Sequence, residues 1–214
     1  MRRRAVAIML SVLVPAAFAQ ESMPVVYGFS IGHWLMRENG GYADWLGLKY
    51  RGKGLREPIN VVIVDPFASS AEMAIAKVMK ACKAAGYEEE YGHSAGYMAE
   101  IAGTMYRQIP NDRRMAFSNK DFLLTNNHGR IMGPAFVNGE YVFVAAFSTE
   151  RPSLWKMDHL YVSFTRARDD FCACMDARTS YRKQGYIELG NTETGGELTT
   201  GDHDGRATVL IAME

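Results

Sequence analysis

Residues 59–96 read INVVIVDPFASSAEMAIAKVMKACKAAGYEEEYGHSAG, and this stretch carries the strongest fold signals in the chain. Its first part, residues 59–64, is a β-branched run that is apolar on both faces. Such a run is too short for a helix and is typical of an interior strand. Asp65 and Pro66 then end the strand, because proline lacks the backbone donor that a strand ladder needs. The stretch therefore begins with one buried strand.

A helix is predicted directly after this strand. Ser69 followed three residues later by Glu72 is a capping-box pattern, in which the hydroxyl and the carboxylate satisfy free amides of the first turn. Gly86 supplies a left-handed cap at the other end. Apolar side chains recur at helical spacing on one face, namely Ile75, Val78, Met79, Cys82 and Ala85.

The N-terminus has the pattern of a signal peptide. Three arginines precede an apolar run at residues 5–14, and the small-x-small sequence at residues 17–19 is typical of a cleavage site after Ala19. The alternative is a membrane anchor, but Pro15 interrupts the apolar run after about ten residues, and a span needs about 20. The sequence predicts a signal peptide at residues 1–19 and a periplasmic or secreted protein.

Composition restricts the classes of partner. The chain has 214 residues, is 48% hydrophobic and has 24 basic and 24 acidic residues, so loss of the signal arginines leaves the mature chain weakly acidic. A concentrated basic surface is needed to bind nucleic acid or an anionic membrane, and no basic run of that kind exists. The sequence predicts no nucleic-acid partner and no integral membrane segment after cleavage.

The mature chain divides into an N-terminal arm at residues 20–56, rich in aromatic residues and glycine, and a domain at residues 57–214. The arm is too apolar for a free tail, and we expect it to pack on the domain with a short helix near residues 32–37. An arm that docks on a protein partner would have a similar composition.

Later segments suggest a hairpin and a repeat. Asn138 and Gly139 separate two apolar runs and favour a type I′ turn. Residues 97–106 are predicted as a short helix and residues 163–182 as a second long one. The sequence Gly185-Tyr186 after that helix is similar to Gly86-Tyr87 after the first, which suggests a loose strand–helix–strand repeat.

The predicted fold class is α+β. We expect a mainly antiparallel sheet of about five or six strands with two helices on one face, with the split β-α-β character of ferredoxin-like folds.

The three cysteines allow more than one interpretation. Cys172 and Cys174 lie two apart in a predicted helix, where a bond between them would be strained. Cys82 could pair with either of them, or all three could be small buried apolar residues. The cysteines do not complete a tetrahedral metal site.

One motif suggests serine catalysis. Residues 92–96 match G-x-S-x-G, the turn that exposes the nucleophile of many hydrolases. The candidate catalytic residues are Ser94, His93 and the later His203. The acidic segment before the motif is unlike the buried strand that should precede such a serine, so a turn in which His93 and Ser94 bond locally is the alternative.

A second set of residues suggests ligand binding. His128 and Arg130 lie two apart in a predicted strand, so they share a face that would suit an anionic group. His159 is the third candidate ligand-binding residue. A metal site built from His93, His128 and His159 is geometrically possible, but their spacing does not indicate one, so no metal and no cofactor are predicted.

The chain resembles the LssY-like C-terminal domain family over residues 57–189. The resemblance is carried by the segments PINVVIVD, AGY, HGRIMGP, YVFVAAFSTE and DHLYVSFTRARDDF. It implies an envelope-associated domain without an established activity. The family pattern maps onto His128 with Arg130, onto His159, and onto Arg168 with Asp169.

These observations lead to two functional hypotheses. The first is an exported protein that binds a small-molecule or cell-envelope ligand around His128, Arg130 and His159. The second is a serine hydrolase that uses Ser94. The sequence leaves open whether the chain is an enzyme.

Overall fold

The protein is mostly β-structure. A computed structural model describes residues 23, 25–109, 115–153 and 158–214, so the predicted signal peptide lies outside the described residues. About 50% of the described residues are in strands and 17% in helices. The prediction of a small α+β fold with five or six strands was therefore wrong, because short strands from the arm and from the middle of the chain enlarge the sheet.

The described elements, in chain order, are β1 (Val25–Val26), β2 (Phe29–Ser30), β3 (Met36–Arg37), β4 (Asp44–Tyr50), β5 (Lys53–Arg56), β6 (Val61–Asp65), α1 (Ala71–Ala85), β7 (Glu88–Glu90), β8 (Tyr97–Ile101), β9 (Thr104–Ile109), β10 (Ala116–Ser118), β11 (Asn126–Val137), β12 (Glu140–Ser153), β13 (Asp158–Ser163), α2 (Phe164–Arg178), β14 (Tyr181–Glu188), β15 (Leu198–Thr199) and β16 (Arg206–Ala212).

Eleven of the described strands form one mixed sheet. Its main path runs β14-β16-β6-β12-β11-β9-β8-β3, and β7, β10 and β13 extend it at the sides. The central strand β6 pairs in parallel with β16 and antiparallel with β12. A smaller sheet combines β4, β5 and β15. The long β11–β12 hairpin carries much of the site described below.

Strand β6 is buried on both faces, which confirms the prediction of an interior strand. Val61 and Ile63 belong to a core that also contains the buried faces of α1 and α2. Val62 and Val64 belong to a second core on the opposite face, to which the arm contributes. Alternation of side chains along the strand thus supplies both cores.

Helix α1 confirms the predicted strand–helix unit, with its start shifted by one residue. The N-cap is Ser70, whose hydroxyl accepts a hydrogen bond from the amide of Met73 at 3.2 Å, and not Ser69. Gly86 caps the other end with a φ of 83°, a left-handed conformation that glycine adopts without strain.

Three other local predictions were wrong. Residues 97–106 lie in the β8–β9 hairpin, and residues 32–37 contain a bend, an isolated bridge at Trp34 and the two residues of β3. Helix α2 ends at Arg178, and Gly185 lies within β14 at a shift of register, so it does not cap a helix. The second long helix is thus confirmed with a shorter C-terminal end, but Gly185-Tyr186 is not a helix ending like Gly86-Tyr87, so the similarity that suggested the repeat does not hold in the structure.

The β11–β12 hairpin has the predicted turn and an additional bulge. Asn138 and Gly139 have φ values of 53° and 89°, as a type I′ turn requires. Between Met132 and Ala135 the register shifts by one residue, because β11 has one more residue than β12 there. A bulge of this kind changes which side chains share a face.

Two further findings concern the cysteines and the membrane. Cys82, Cys172 and Cys174 are free thiols, and the first two are buried in the helix-side core, where burial raises the pKa of both thiols. Within the described part of the chain, no helix is both long enough and apolar enough to cross a bilayer.

Candidate functional site

A small pocket lined mainly by polar and ionisable residues lies beside the β11–β12 hairpin, on the sheet face opposite the helices. It has a volume of about 50 Å³, enough for a few water molecules. Five of the six residues predicted from the sequence line it, namely His93, Ser94, His128, Arg130 and His159. Four further residues line it that no sequence pattern had marked, namely Trp45, Glu57, Phe122 and Glu150.

Strand alternation brings the β11 residues of the pocket together. His128 and Arg130 line the pocket, as the sequence predicted for residues two apart, whereas Gly129 points to the helix-side core. A Cβ atom at position 129 would lie 2.4 Å from the ring of Phe147, so the glycine lets this ring pack against β11. Because residue 129 is glycine, residues 128–130 can present polar side chains on one face of β11 while Phe147 packs closely against the other face.

The hydrogen bonds of His128 define its tautomer. The amide nitrogen of Asn126 donates to the carbonyl oxygen of Leu124 at 3.0 Å and to Glu150 Oε1 at 3.1 Å, so the amide oxygen faces His128 Nδ1 at 3.0 Å. His128 Nδ1 must therefore carry the proton. Burial lowers the pKa of His128 well below its usual value, so the ring is neutral. Its Nε2 atom then has a lone pair.

The hydroxyl of Ser148 lies against that lone pair. Ser148 Oγ is 3.5 Å from His128 Nε2 and accepts a hydrogen bond from Trp45 Nε1 at 3.2 Å. Trp45 can only donate, so the serine proton is available to His128. The pairing is a consequence of register, because His128 lies directly opposite Ser148 in the hairpin.

Glu150 connects the hairpin to β13. Its Oε1 atom lies 3.2 Å from His159 Nδ1 and 3.7 Å from His128 Nδ1. Only 3% of the residue is exposed, and desolvation raises the pKa of the carboxyl group, against the opposing effects of Asn126, His159 and Arg130. A buried carboxylate among imidazoles is a suitable ligand for a cation.

His93 completes the cluster from the loop between β7 and β8. Its ring stacks on that of His128, with centroids 4.5 Å apart and planes 26° apart. Burial is the main reason that the pKa of His93 is lowered to about 4, so this imidazole is neutral at pH 7 as well. Its Nε2 atom is buried and has no hydrogen-bond partner among the described residues.

Together, His93, His128 and Glu150 form what we call the His–Glu cluster. One donor atom from each lies within 4.8 Å of the other two. Donors around a tetrahedral zinc ion lie roughly 3.4 Å apart for bonds of about 2.0–2.1 Å. The donor atoms of the cluster would therefore have to approach one another by up to about 1.4 Å to bind a zinc ion.

Ser94 lies at the edge of the pocket in a setting unlike that of a hydrolase nucleophile. Its hydroxyl is 2.7 Å from the hydroxyl of Tyr97 and accepts a hydrogen bond from Arg130 at 3.0 Å. No histidine ring bonds to it within the described part of the chain, and the loop leads into a strand and not into a helix. The expected strand–serine–helix arrangement is thus absent.

Other sequence candidates lie outside the pocket. His203 Nε2 is 2.8 Å from Asn191 Oδ1, and the amide nitrogen of Asn191 donates to backbone carbonyls of the arm and of residue 59, so these residues have a structural role. Arg168 binds the carboxylate of Asp204 through Nη1 and Nη2 at 2.6 and 3.1 Å, and it contacts Asp169. The Arg168–Asp204 pair joins α2 to the segment just before β16.

Glu57 is the second acid that the sequence analysis missed. It follows β5, is 3% exposed and has its Oε2 atom 3.8 Å from Arg130 Nη1. Burial raises the pKa of Glu57 to about 7, although Arg130 acts in the opposite direction. A glutamate between a basic loop and a buried strand gives no local pattern that would mark it as part of a site.

The pocket thus combines neutral imidazoles, two buried acids and one arginine. Two imidazole nitrogens and one carboxylate oxygen are a ligand set for zinc and related ions that leaves one coordination position open. Comparisons of the chain with protein-family models, with curated proteins and with solved structures found no match.

Proposed function

We propose that the chain binds one divalent transition-metal ion, with zinc as the best fit, at the His–Glu cluster. The observation that carries the proposal is the buried Nε2 atom of His93, which has no hydrogen-bond partner among the described residues although it lies beside a second imidazole and a carboxylate. A buried polar atom without a partner costs free energy, and a metal bond would remove that cost.

The surroundings of the cluster support the proposal. A metal ligand must be deprotonated, and both imidazoles are neutral at pH 7 because burial lowers their pKa values. Asn126 accepts a hydrogen bond from His128 Nδ1, as outer partners of metal-bound histidines do, so a metal ion would bind at Nε2 in place of the Ser148 hydroxyl. His159 holds Glu150 from the other side.

Metal titration of the purified protein tests the proposal. After treatment with a chelator, we expect the protein to take up one equivalent of Zn²⁺ in isothermal titration calorimetry. We expect His93→Ala to weaken binding more than about 100-fold, since it removes a ligand from a loop without disturbing the sheet. His33→Ala removes an imidazole outside the pocket and is the matched control. Equal affinities in the two variants, or no saturable uptake, would contradict the proposal.

The predictions of export and of an envelope ligand are part of the proposal. The pattern at residues 1–19 supports export, and sequencing of the mature N-terminus after expression in a bacterial host tests it. We expect the mature chain to begin at Gln20, and retention of Met1 would contradict export. The resemblance to the LssY-like family stays a prediction. The metal centre would provide the site at which an envelope ligand binds.

The serine-hydrolase hypothesis also stays a prediction, and the contacts of Ser94 do not favour it. Labelling of the folded protein with a fluorophosphonate, abolished by Ser94→Ala, would support it. We expect no labelling, because the serine hydroxyl bonds to Tyr97 and Arg130 and has no imidazole base among the described residues.

A further inference from the structure

The guanidinium of Arg130 has hydrogen bonds along one edge. Its Nε and Nη2 atoms donate to the carbonyl oxygen of Ser94 at 3.2 and 3.1 Å, and Nη2 also donates to Ser94 Oγ at 3.0 Å. The remaining nitrogen, Nη1, lies 3.8 Å from Glu57 Oε2, beyond hydrogen-bond distance. Arg130 therefore keeps donor capacity on the Nη1 side while its other edge holds the loop that carries His93.

Arg130 also lies on the same strand face as the His–Glu cluster. It is two residues from His128 on β11 and lines the same pocket. Its guanidinium packs 4.5 Å from the centre of the Tyr97 ring, which restricts its movement. A group bound to the open position of the metal would therefore meet a fixed arginine.

A metal ion at the cluster would leave this buried pocket with excess positive charge. The ion brings two positive charges and Arg130 a third, whereas Glu57 and Glu150 together bring at most two negative charges. Burial raises the pKa of Glu57 to about 7, so the excess is larger when this carboxyl is protonated. A buried charge without a partner is strongly unfavourable. One anion would balance the pocket.

We infer that the pocket takes a small oxyanion, a carboxylate or phosphate group, between the metal ion and Arg130; the inference rests on the proposed metal site. The cavity of about 50 Å³ admits a compact head group in place of a few water molecules. Trp45 and Phe122 form apolar parts of its wall, which strengthens charge pairing within it. Guanidinium groups bind carboxylates and phosphates through short, charge-assisted hydrogen bonds.

Cobalt-loaded protein provides a direct test, because the visible absorption of Co²⁺ changes when a metal ligand changes. We expect titration with sodium acetate or with inorganic phosphate to shift the spectrum with saturation, and the tighter of the two identifies the head group. We expect Arg130→Gln to weaken anion binding by about 10- to 100-fold, as loss of a charge-assisted hydrogen bond does. Anion affinity is measured on protein saturated with Co²⁺, because Arg130 also holds the loop that carries His93 and its replacement changes metal affinity as well.

Two further variants keep the test decisive. Arg107→Gln removes an exposed arginine that pairs with Glu38 in the turn after β3 and should leave anion affinity at the wild-type value. Arg130→Lys keeps the charge and should give an intermediate anion affinity if Arg130→Gln fails to fold. The inference would be overturned if neither anion changed the spectrum of the metal-loaded protein. It would also be overturned if the Arg130 variants bound the anion as tightly as the wild type does. Neither result would contradict the metal site. Failure to take up metal would overturn both.

Discussion

Asn126 Oδ1 lies 3.0 Å from His128 Nδ1 and so fixes the tautomer of the imidazole at the centre of the pocket. The amide of Asn126 cannot turn over without losing its bonds to Leu124 and Glu150. The neutral ring therefore keeps its proton on Nδ1 and has its lone pair on Nε2. This arrangement suits a metal ligand, and it leads to the first prediction.

Replacement of Asn126 by alanine should weaken zinc binding by about 10- to 100-fold, because the His128 ring loses the partner that orients it. The control is Asn127→Ala on the opposite face of β11, where the side chain bonds to Asp170 and Thr149. That variant should lower the free energy of unfolding and leave the affinity for zinc unchanged. Calorimetric titration and urea unfolding measure the two effects, and equal losses of affinity would refute the positioning role.

Replacement of Gly129 by alanine should destabilise the protein by about 1–3 kcal/mol, the usual cost of overpacking. The new Cβ would lie 2.4 Å from the Phe147 ring and 2.6 Å from the backbone oxygen of Ala146, and the backbone atom cannot move aside easily. Gly195→Ala, with no atom within 4 Å, is the control and should be nearly neutral. Urea unfolding distinguishes them; similar midpoints would show that the hairpin can relax around the methyl group.

Removal of the Arg168 guanidinium should also destabilise the fold. Arg168→Met removes two hydrogen bonds to Asp204 and one to the carbonyl oxygen of Arg206, whereas Asp204 keeps its bonds to the Arg206 side chain, so we expect a loss of about 1–3 kcal/mol. Arg166→Met, on the exposed side of α2, is the matched control and should cost under about 0.5 kcal/mol. Thermal unfolding measures both, and equal melting temperatures would rule out a structural role for the Arg168–Asp204 pair.

Stability should fall in mild acid because of His203. Burial lowers the pKa of His203 to about 4, against about 6.5 in an unfolded chain. Between these values the unfolded state binds a proton that the folded state does not, so the free energy of unfolding decreases as pH falls from about 6.5 to about 4. The full effect for this residue is about 3 kcal/mol.

A comparison with His203→Gln isolates that contribution. The wild type should lose more stability than the variant between pH 7 and pH 4, as measured by urea unfolding at each pH. At lower pH the two curves should run parallel, because both states of His203 are then protonated. Parallel curves over the whole range would mean that His203 titrates normally in the folded protein.

Local signals in the sequence were sufficient for some elements. The strand β6, the helix α1 with its glycine cap and the turn at residues 138–139 depend on neighbouring residues, so the sequence predicted them. The large sheet depends on pairings between distant segments. Strand β8, for example, alternates buried and half-buried residues but is only five residues long, and its partner β3 comes from the arm. Such pairings have no local pattern to identify them.

The site was accessible to sequence analysis in part. His128 and Arg130 were placed on one face by strand alternation alone, and the structure also brings His93 and His159 to that face. Glu150 was missed because its place depends on the hairpin register. The predicted turn alone, continued without a bulge, pairs His128 with Thr149 and so places Glu150 on the opposite face of the sheet from His128.

That bulge between Met132 and Ala135 means that the centre depends on a count of residues as well as on their identities. If β11 kept all its residues but paired with β12 without the bulge, every donor of the His–Glu cluster would remain in the chain, yet His128 would lie opposite Thr149 and on the other face of the sheet from Glu150. The spacing from the turn to the pocket is therefore itself a determinant of the site, and a search for related centres in other sequences must align that spacing before it matches side chains.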